Sequence, residues 1–114
     1  MPTRLQIRAN DDGALEAALG AAHRLWQDQA AWNARILDYA ATKLLPIKNK
    51  TWRKEDVEEL TADQFRIRME LQEVLVSADG SFEFWHSDRD LFWGHAIAVF
   101  GDLAGGPRDA NIEG

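Results

Sequence analysis

The stretch that decides the fold is residues 79–85, Asp79-Gly80-Ser81-Phe82-Glu83-Phe84-Trp85. An Asp-Gly pair suits the positive φ angles of a tight hairpin turn. The residues after it alternate between apolar and polar side chains, which is the period of a half-buried strand. The segment therefore predicts a β-hairpin whose returning strand runs over residues 82–87, with Phe82 and Phe84 on one face and Trp85 on the other.

Two further β-rich segments flank this hairpin. The run over 69–76 changes its apolar parity between Leu71 and Val74, which predicts a β-bulge near residues 72–73. After a turn at 88–90, residues 93–100 alternate again, and the tail over 109–114 predicts a short edge segment. One face of the 93–100 strand carries Trp93, His95, Ile97 and Val99.

The N-terminal half predicts a strand followed by helices. Residues 3–9 alternate, and residues 10–13 offer side chains that cap a helix. Apolar side chains then recur at helical spacing from Ala14 to Trp26 and again from Trp32 to Leu44, which predicts two helices or one helix kinked near Asp28. Pro46 is expected to stop the helical run. Residues 55–60 predict a short helix, and Thr61 with Gln64 has the spacing of a capping box.

These elements predict one α+β domain over residues 1–114, in the order βααβββ. Its antiparallel β-sheet of about four strands carries the N-terminal helices packed on one face. We expect three strand pairs to be buried against helical residues Leu19, Ile36 and Leu44. The pairs are Leu5 with Ile7, Phe82 with Phe84, and Ile97 with Val99.

Composition excludes several classes of protein. The chain of 114 residues is 46% hydrophobic and contains no cysteine. The hydrophobic content is that of an ordinary globular protein, neither disordered nor membrane-embedded. The missing thiols exclude disulfide frameworks, cysteine-based zinc sites and thiolate nucleophiles. No secretory signal is recognised at the N-terminus, so we expect a cytoplasmic protein.

The charge is divided unevenly along the chain. Residues 1–54 hold nine Lys and Arg against five Asp and Glu, whereas residues 55–114 hold four against fourteen, which gives +4 and −10. An acidic surface repels phosphate groups, so we expect no nucleic-acid partner and instead a basic protein partner, such as a toxin. No apolar run approaches the length of a membrane span, so we expect no membrane partner either. The alternative that these acids only solvate the sheet surface and its turns stays open.

A cluster of metal-ligand residue types lies around the second turn. If the hairpin closes there, His86, Asp88, Asp90 and His95 could hold zinc, manganese or iron. The structural interpretation is favoured, because the aspartates suit a turn and a strand histidine is often a hydrogen-bonded core residue. We therefore predict no metal and no cofactor, and we expect His95 to be buried and structural.

The same region resembles a known family. Residues 88–97, Asp88-Arg89-Asp90-Leu91-Phe92-Trp93-Gly94-His95-Ala96-Ile97, resemble the D-G-D-L-F-W-G-H-S-I signature of bacterial domain of unknown function 2262. Arg89 replaces the usual glycine and Ala96 the usual serine, so neither that turn nor that hydroxyl is expected to do essential chemistry. The resemblance covers most of the chain and implies a bacterial α+β domain, but no activity or substrate.

The function is therefore a hypothesis. We favour a non-enzymatic bacterial protein-interaction domain, immunity or antitoxin-like, that binds through an acidic sheet surface. An aromatic residue on an open sheet face commonly marks a binding surface, although Trp85 packed under the tail is an equal alternative. The candidate binding residues are Trp85, Asp88, Asp90, Trp93 and His95. The alternative is a small metal-dependent hydrolase or ligand-binding enzyme that uses His86, Asp88, Asp90 and His95.

Overall fold

The computed structural model describes residues 4–9, 11–51, 60–87 and 95–113. Within them the chain forms three helices and a five-stranded sheet with the strand order β1-β2-β3-β4-β5, which confirms the α+β class. None of these helices is both long and apolar enough to cross a membrane. The elements are β1 (Arg4–Arg8), α1 (Asp12–Gln27), α2 (Gln29–Thr51), α3 (Ala62–Arg68), β2 (Glu70–Ser77), β3 (Ser81–Ser87), β4 (Ala96–Asp102) and β5 (Gly106–Glu113).

The sheet is an antiparallel meander with one parallel strand added at its edge. β2, β3, β4 and β5 pair in chain order, each antiparallel to the next. β1 pairs parallel to β2. The helices that lie between the two strands return the chain to the same end of the sheet, so β2 starts in the same direction as β1. The tail forms a full strand of eight residues rather than a short segment.

Three local sequence signals are confirmed. The Asp79 carboxylate accepts hydrogen bonds from the hydroxyl and the backbone N–H of Ser81, at 2.6 and 2.9 Å, and these bonds lower the pKa of Asp79. Gly80 takes the positive φ of 87° that the hairpin turn requires. The capping box of α3 is present between Thr61 and Gln64, and the register of β2 shifts between Leu71 and Glu73.

The core lies between the helices and one face of the sheet. Phe82 packs edge-on against both Phe84 and the Trp32 ring of α2, with centroids 5.1 and 5.4 Å apart. Of the residues expected in the core, Phe82, Phe84, Ile97, Val99, Ile36 and Leu44 are buried, and Ile7 is half-buried against them.

The expected burial of Leu5 and Leu19 is wrong. Their exposed fractions are 55% and 49%. β1 is an edge strand, so no neighbouring strand in the described sheet covers the outer side of Leu5. Helix α1 buries only the narrow side formed by Ala18, Ala21 and Leu25, and Leu19 lies beyond that side.

The predicted end of the second helix at Pro46 is also wrong, because α2 continues to Thr51. Leu44 is buried before the proline. After it, the Asn49 side chain donates to the Leu60 carbonyl at 3.1 Å and accepts from the Leu60 N–H at 2.9 Å. Tertiary contacts on both sides therefore hold the helix through the exposed Pro46. The short helix predicted over 55–60 lies outside the described residues, apart from Leu60, which is not helical.

The position of Phe84 predicts a large loss of stability on truncation. Phe84→Ala removes a buried ring and should lower the free energy of unfolding by roughly 3–5 kcal/mol in urea denaturation. Phe100→Ala, which truncates a half-buried ring on the other face of the same sheet, is the matched control and should cost clearly less. Equal losses for the two variants would contradict the assignment of the faces.

The position of Pro46 predicts a gain of stability when the proline is replaced. Proline inside a helix removes one backbone hydrogen bond and clashes with the preceding turn. Pro46→Ala should therefore raise the free energy of unfolding by about 1–3 kcal/mol, reduced somewhat because the unfolded chain becomes freer. Asn33→Ala, at an exposed position of the same helix, should change it much less. If α2 ended before Pro46, the substitution would have almost no effect.

Candidate functional site

The face of the sheet opposite the helices is the candidate site, and we call it the open face. Side chains alternate along β3, so Phe82, Phe84 and His86 lie towards the helices while Glu83 and Trp85 lie on the open face. The strand register extends this face to both edges. Its members are Arg4, Gln6 and Arg8 of β1, Glu73 and Leu75 of β2, Glu83 and Trp85 of β3, Ala98, Phe100 and Asp102 of β4, and Asp109, Asn111 and Glu113 of β5.

Trp85 lies at the centre of the open face. Its indole N–H donates to Glu83 at 3.0 Å, and its ring meets the Phe100 ring edge-on with centroids 6.3 Å apart. Ala98, directly across the strand pair, is fully buried. The tail runs beside β4 as β5 and does not cross the Trp85 ring. Trp85 is half-buried and held in one orientation, which limits the entropy that it would lose on binding.

Carboxylates surround this aromatic centre. Glu73 is the register partner of Trp85, and its Oε1 atom is withdrawn from solvent without a hydrogen-bond partner among the described residues. Glu83 forms an ion pair with Arg8 at 2.6 Å. Asp109 pairs with Lys43 of α2, and Asp102 pairs with Arg108 at 2.8 Å. At the centre of the face, Glu73 is the carboxylate that forms no ion pair with another described side chain, and Arg4 of β1 is its register partner on the other side.

The buried histidine is His86, whereas the sequence predicted His95. His86 is 1% exposed on the helix-facing side, and neither ring nitrogen has a hydrogen-bond partner of normal geometry among the described residues. Burial, opposed in part by the backbone of Phe84 and Ile97, lowers the pKa of His86 to about 4, so the ring is neutral at pH 7. His95 stands just before β4 and is only half-buried, because the alternating strand begins one residue later.

The proposed metal set is not assembled in the described part of the chain. Asp88, Asp90 and Trp93 lie outside the described residues. Over 4–9, 11–51, 60–87 and 95–113, no three histidine or carboxylate side chains come together as metal ligands would. The ligand set of His86, Asp88, Asp90 and His95 therefore stays a prediction.

Sequence reasoning missed an apolar cleft at the other side of the sheet. It lies between α1, the start of α2 and strands β1 and β2, and has a volume of about 880 Å³. Its lining includes Leu5, Leu19, Trp26, Leu71 and Val74. Trp26 is 68% exposed. The sequence contained a signal for this cleft, because the apolar stripe of α1 includes more side chains than the helix buries.

The buried, neutral His86 predicts a specific pH dependence. The unfolded chain takes up a proton on this residue near pH 6.5, the folded chain only near pH 4. Stability rises with pH wherever the unfolded state binds more protons, so this group lowers the free energy of unfolding as the pH falls from 7 to 5, by about 2 kcal/mol. Urea denaturation at pH 7 and at pH 5 should show this loss of stability, and His86→Leu should remove this pH dependence.

The exposed His23 provides the control for this prediction. His23→Gln removes a histidine from the surface of α1 and should leave the pH dependence of the wild type in place. If His86→Leu kept the full loss between pH 7 and pH 5, another group would carry it and the assignment to His86 would be wrong.

Comparison with known proteins shows the family of the chain. The family model DUF2262, described as an uncharacterised protein conserved in bacteria, matches residues 2–112. No curated protein and no solved structure matches the chain. The match confirms the resemblance to this family and spans every described helix and strand almost to its end. The chain therefore belongs to the bacterial family of domain of unknown function 2262.

Proposed function

We propose that this chain is a non-enzymatic protein-interaction domain, immunity or antitoxin-like, that binds a basic protein partner on its open face. The observation that carries the proposal is the pairing of Trp85 with Glu73 across strands β3 and β2. A fixed aromatic ring thus stands beside a carboxylate oxygen that lacks a partner in the described structure. An unpaired buried acceptor is costly, and a donor from a partner would remove that cost.

Arginine and lysine are the side chains that suit this pair. A guanidinium or ammonium group can stack over a tryptophan ring and at the same time pair with a carboxylate. The Trp85 indole and the Glu73 carboxylate offer both contacts from neighbouring strands, which lie about 4.8 Å apart. The Glu73 Oε1 atom is withdrawn from solvent, so a partner must displace the side chains that cover it. We infer that a basic side chain of the partner does so and lies between the indole and the carboxylate as the centre of the interface.

The charges around the centre favour the same class of partner. Glu83, Asp102, Asp109 and Glu113 share the open face with Glu73, and the basic side chains of this face, Arg4 and Arg8, are confined to the edge strand β1. Glu83, Asp102 and Asp109 are already paired with basic side chains, so Glu73 and Glu113 carry the excess negative charge of the face. An excess of one sign raises the association rate of an oppositely charged protein. The same sign opposes the phosphate backbone of a nucleic acid.

The metal-dependent alternative receives no support from the described residues. It requires His86 to share a metal with Asp88, Asp90 and His95. His86 lies on the helix-facing side of β3 at 1% exposure, so a substrate on the open face would be separated from its ring by the sheet itself. The interaction hypothesis uses half-buried side chains that lie together on one face, and we therefore prefer it.

The proposal predicts that two substitutions at the centre abolish capture of the partner. Immobilised wild-type chain should retain a basic protein from an extract of the native bacterium, whereas Trp85→Ala and Glu73→Gln should each bind that protein at least tenfold more weakly. Association with the purified partner should slow as ionic strength rises, since salt screens the attraction over roughly 8 Å. Surface plasmon resonance measures both quantities.

Trp26→Ala is the matched control, because it removes a more exposed tryptophan from helix α1, away from the open face. It should leave the affinity unchanged. Retention of the same protein by Trp85→Ala, or an association rate that ignores salt, would contradict the proposal. Retention of nucleic acid in place of a basic protein would contradict it as well.

A further inference from the structure

The two outer strands of the sheet leave backbone groups without a strand partner. Within the described residues, β1 pairs only with β2 and β5 pairs only with β4. A free strand edge is a template for pairing with another chain. The start of β5 is tied to helix α2, since Tyr39 donates to the Arg108 carbonyl and Lys43 pairs with Asp109. The rest of its outer edge, residues 110–113, has no such side-chain bond to another described helix.

The two edges carry opposite charges on the same face. β1 presents Arg4, Gln6 and Arg8 on the open face. β5 presents Asp109, Asn111 and Glu113 on that face. When the two strands are laid antiparallel, one register places Arg4 opposite Glu113, Gln6 opposite Asn111 and Arg8 opposite Asp109. Arg8 and Asp109 already form ion pairs within one copy, so the complementary charges that this register adds are those of Arg4 and Glu113. The same register places Leu5 opposite Ile112 on the helix-facing side.

The direction of the strands permits this pairing between two copies in the same orientation. β1 runs parallel to β2, and each later strand reverses, so β5 runs antiparallel to β1. A second copy moved sideways by the width of the sheet therefore brings its β1 antiparallel to β5 of the first. Its helices and its open face then lie on the same sides as those of the first copy.

Pairing of like edges is opposed by the same charges. An antiparallel β1–β1 pair centred on Gln6 would place Arg4 opposite Arg8, and a β5–β5 pair centred on Asn111 would place Asp109 opposite Glu113. Like charges directly opposite each other destabilise a strand pair, and opposite charges stabilise it. We infer that copies of this chain associate head to tail, with β1 of one copy pairing with β5 of the next.

The exposure of Leu5 fits this association. Leu5 is 55% exposed on an edge strand, and removing its apolar surface from water would be favourable. In the antiparallel register, Ile112 of the neighbouring copy would cover it. The association is heterologous, so each added copy presents a new free β1 and a new free β5, and growth does not close at a dimer.

A charge swap between Arg4 and Glu113 tests the inference. Neither residue forms an ion pair with another described side chain. Arg4 is the register partner of Glu73 within one copy, so Arg4→Glu also weakens the β1–β2 pair, and recovery in the double variant is the result that separates association from this internal effect. In sedimentation velocity, the weight-average mass of the wild type should rise with protein concentration. Arg4→Glu alone and Glu113→Arg alone should each weaken association by roughly fivefold, and the chain that carries both substitutions should recover it.

Controls keep the test independent of folding and of net charge. Arg24→Glu makes the same change of charge on the exposed surface of α1 and should leave association unchanged. Circular dichroism should show that each variant is folded. A wild type that stays monomeric up to millimolar concentration would overturn the inference, and so would single reversals without effect or a double variant that fails to recover.

Discussion

The alternation of side chains along β3 is the constraint on which both the core and the candidate surface depend. β3 is the central strand, paired on both sides, and its period of two places Phe82 and Phe84 under the helices only if Glu83 and Trp85 lie on the other face. A slip of one residue would bury the Glu83 carboxylate and expose both phenyl rings. The turn at Asp79 and Gly80 fixes the register, so core and surface are specified together.

Much of the fold was predictable because its signals are local. The Asp79-Gly80 turn, the capping box at Thr61 and Gln64 and the bulge after Leu71 each depend on a few neighbouring residues. The face of Trp85 followed from parity alone. The parallel pairing of β1 with β2 was not predictable, since alternation at Leu5 and Ile7 indicates a strand without naming its neighbour. Leu5 stays exposed because β1 lies at the edge of the sheet.

The error at Pro46 has its origin in tertiary contacts that no local pattern contains. Pro46 lies inside α2 because buried Leu44 and the bonds from Asn49 to Leu60 hold the helix on both sides. The buried histidine was expected at His95 but is His86, whose burial follows from a local signal that was not used, since it shares the parity of Phe84. Neutral imidazole is tolerated there since burial suppresses its protonation. That Glu73 Oε1 has no hydrogen-bond partner among the described residues likewise depends on tertiary neighbours that the sequence does not indicate.

The open face is so small that a protein bound at its centre would also cover its edges. Five strands lie about 4.8 Å apart; β1 has five residues and the other four have seven or eight, which gives a face of roughly 20 by 25 Å. A protein–protein interface of standard size covers about 800 Å² on each partner, which exceeds this face. A basic protein centred on Trp85 would therefore reach the acidic edge at Glu113, two strands away. Partner binding would occupy the carboxylates that attract β1 of a neighbouring copy, so partner binding and head-to-tail association should exclude each other.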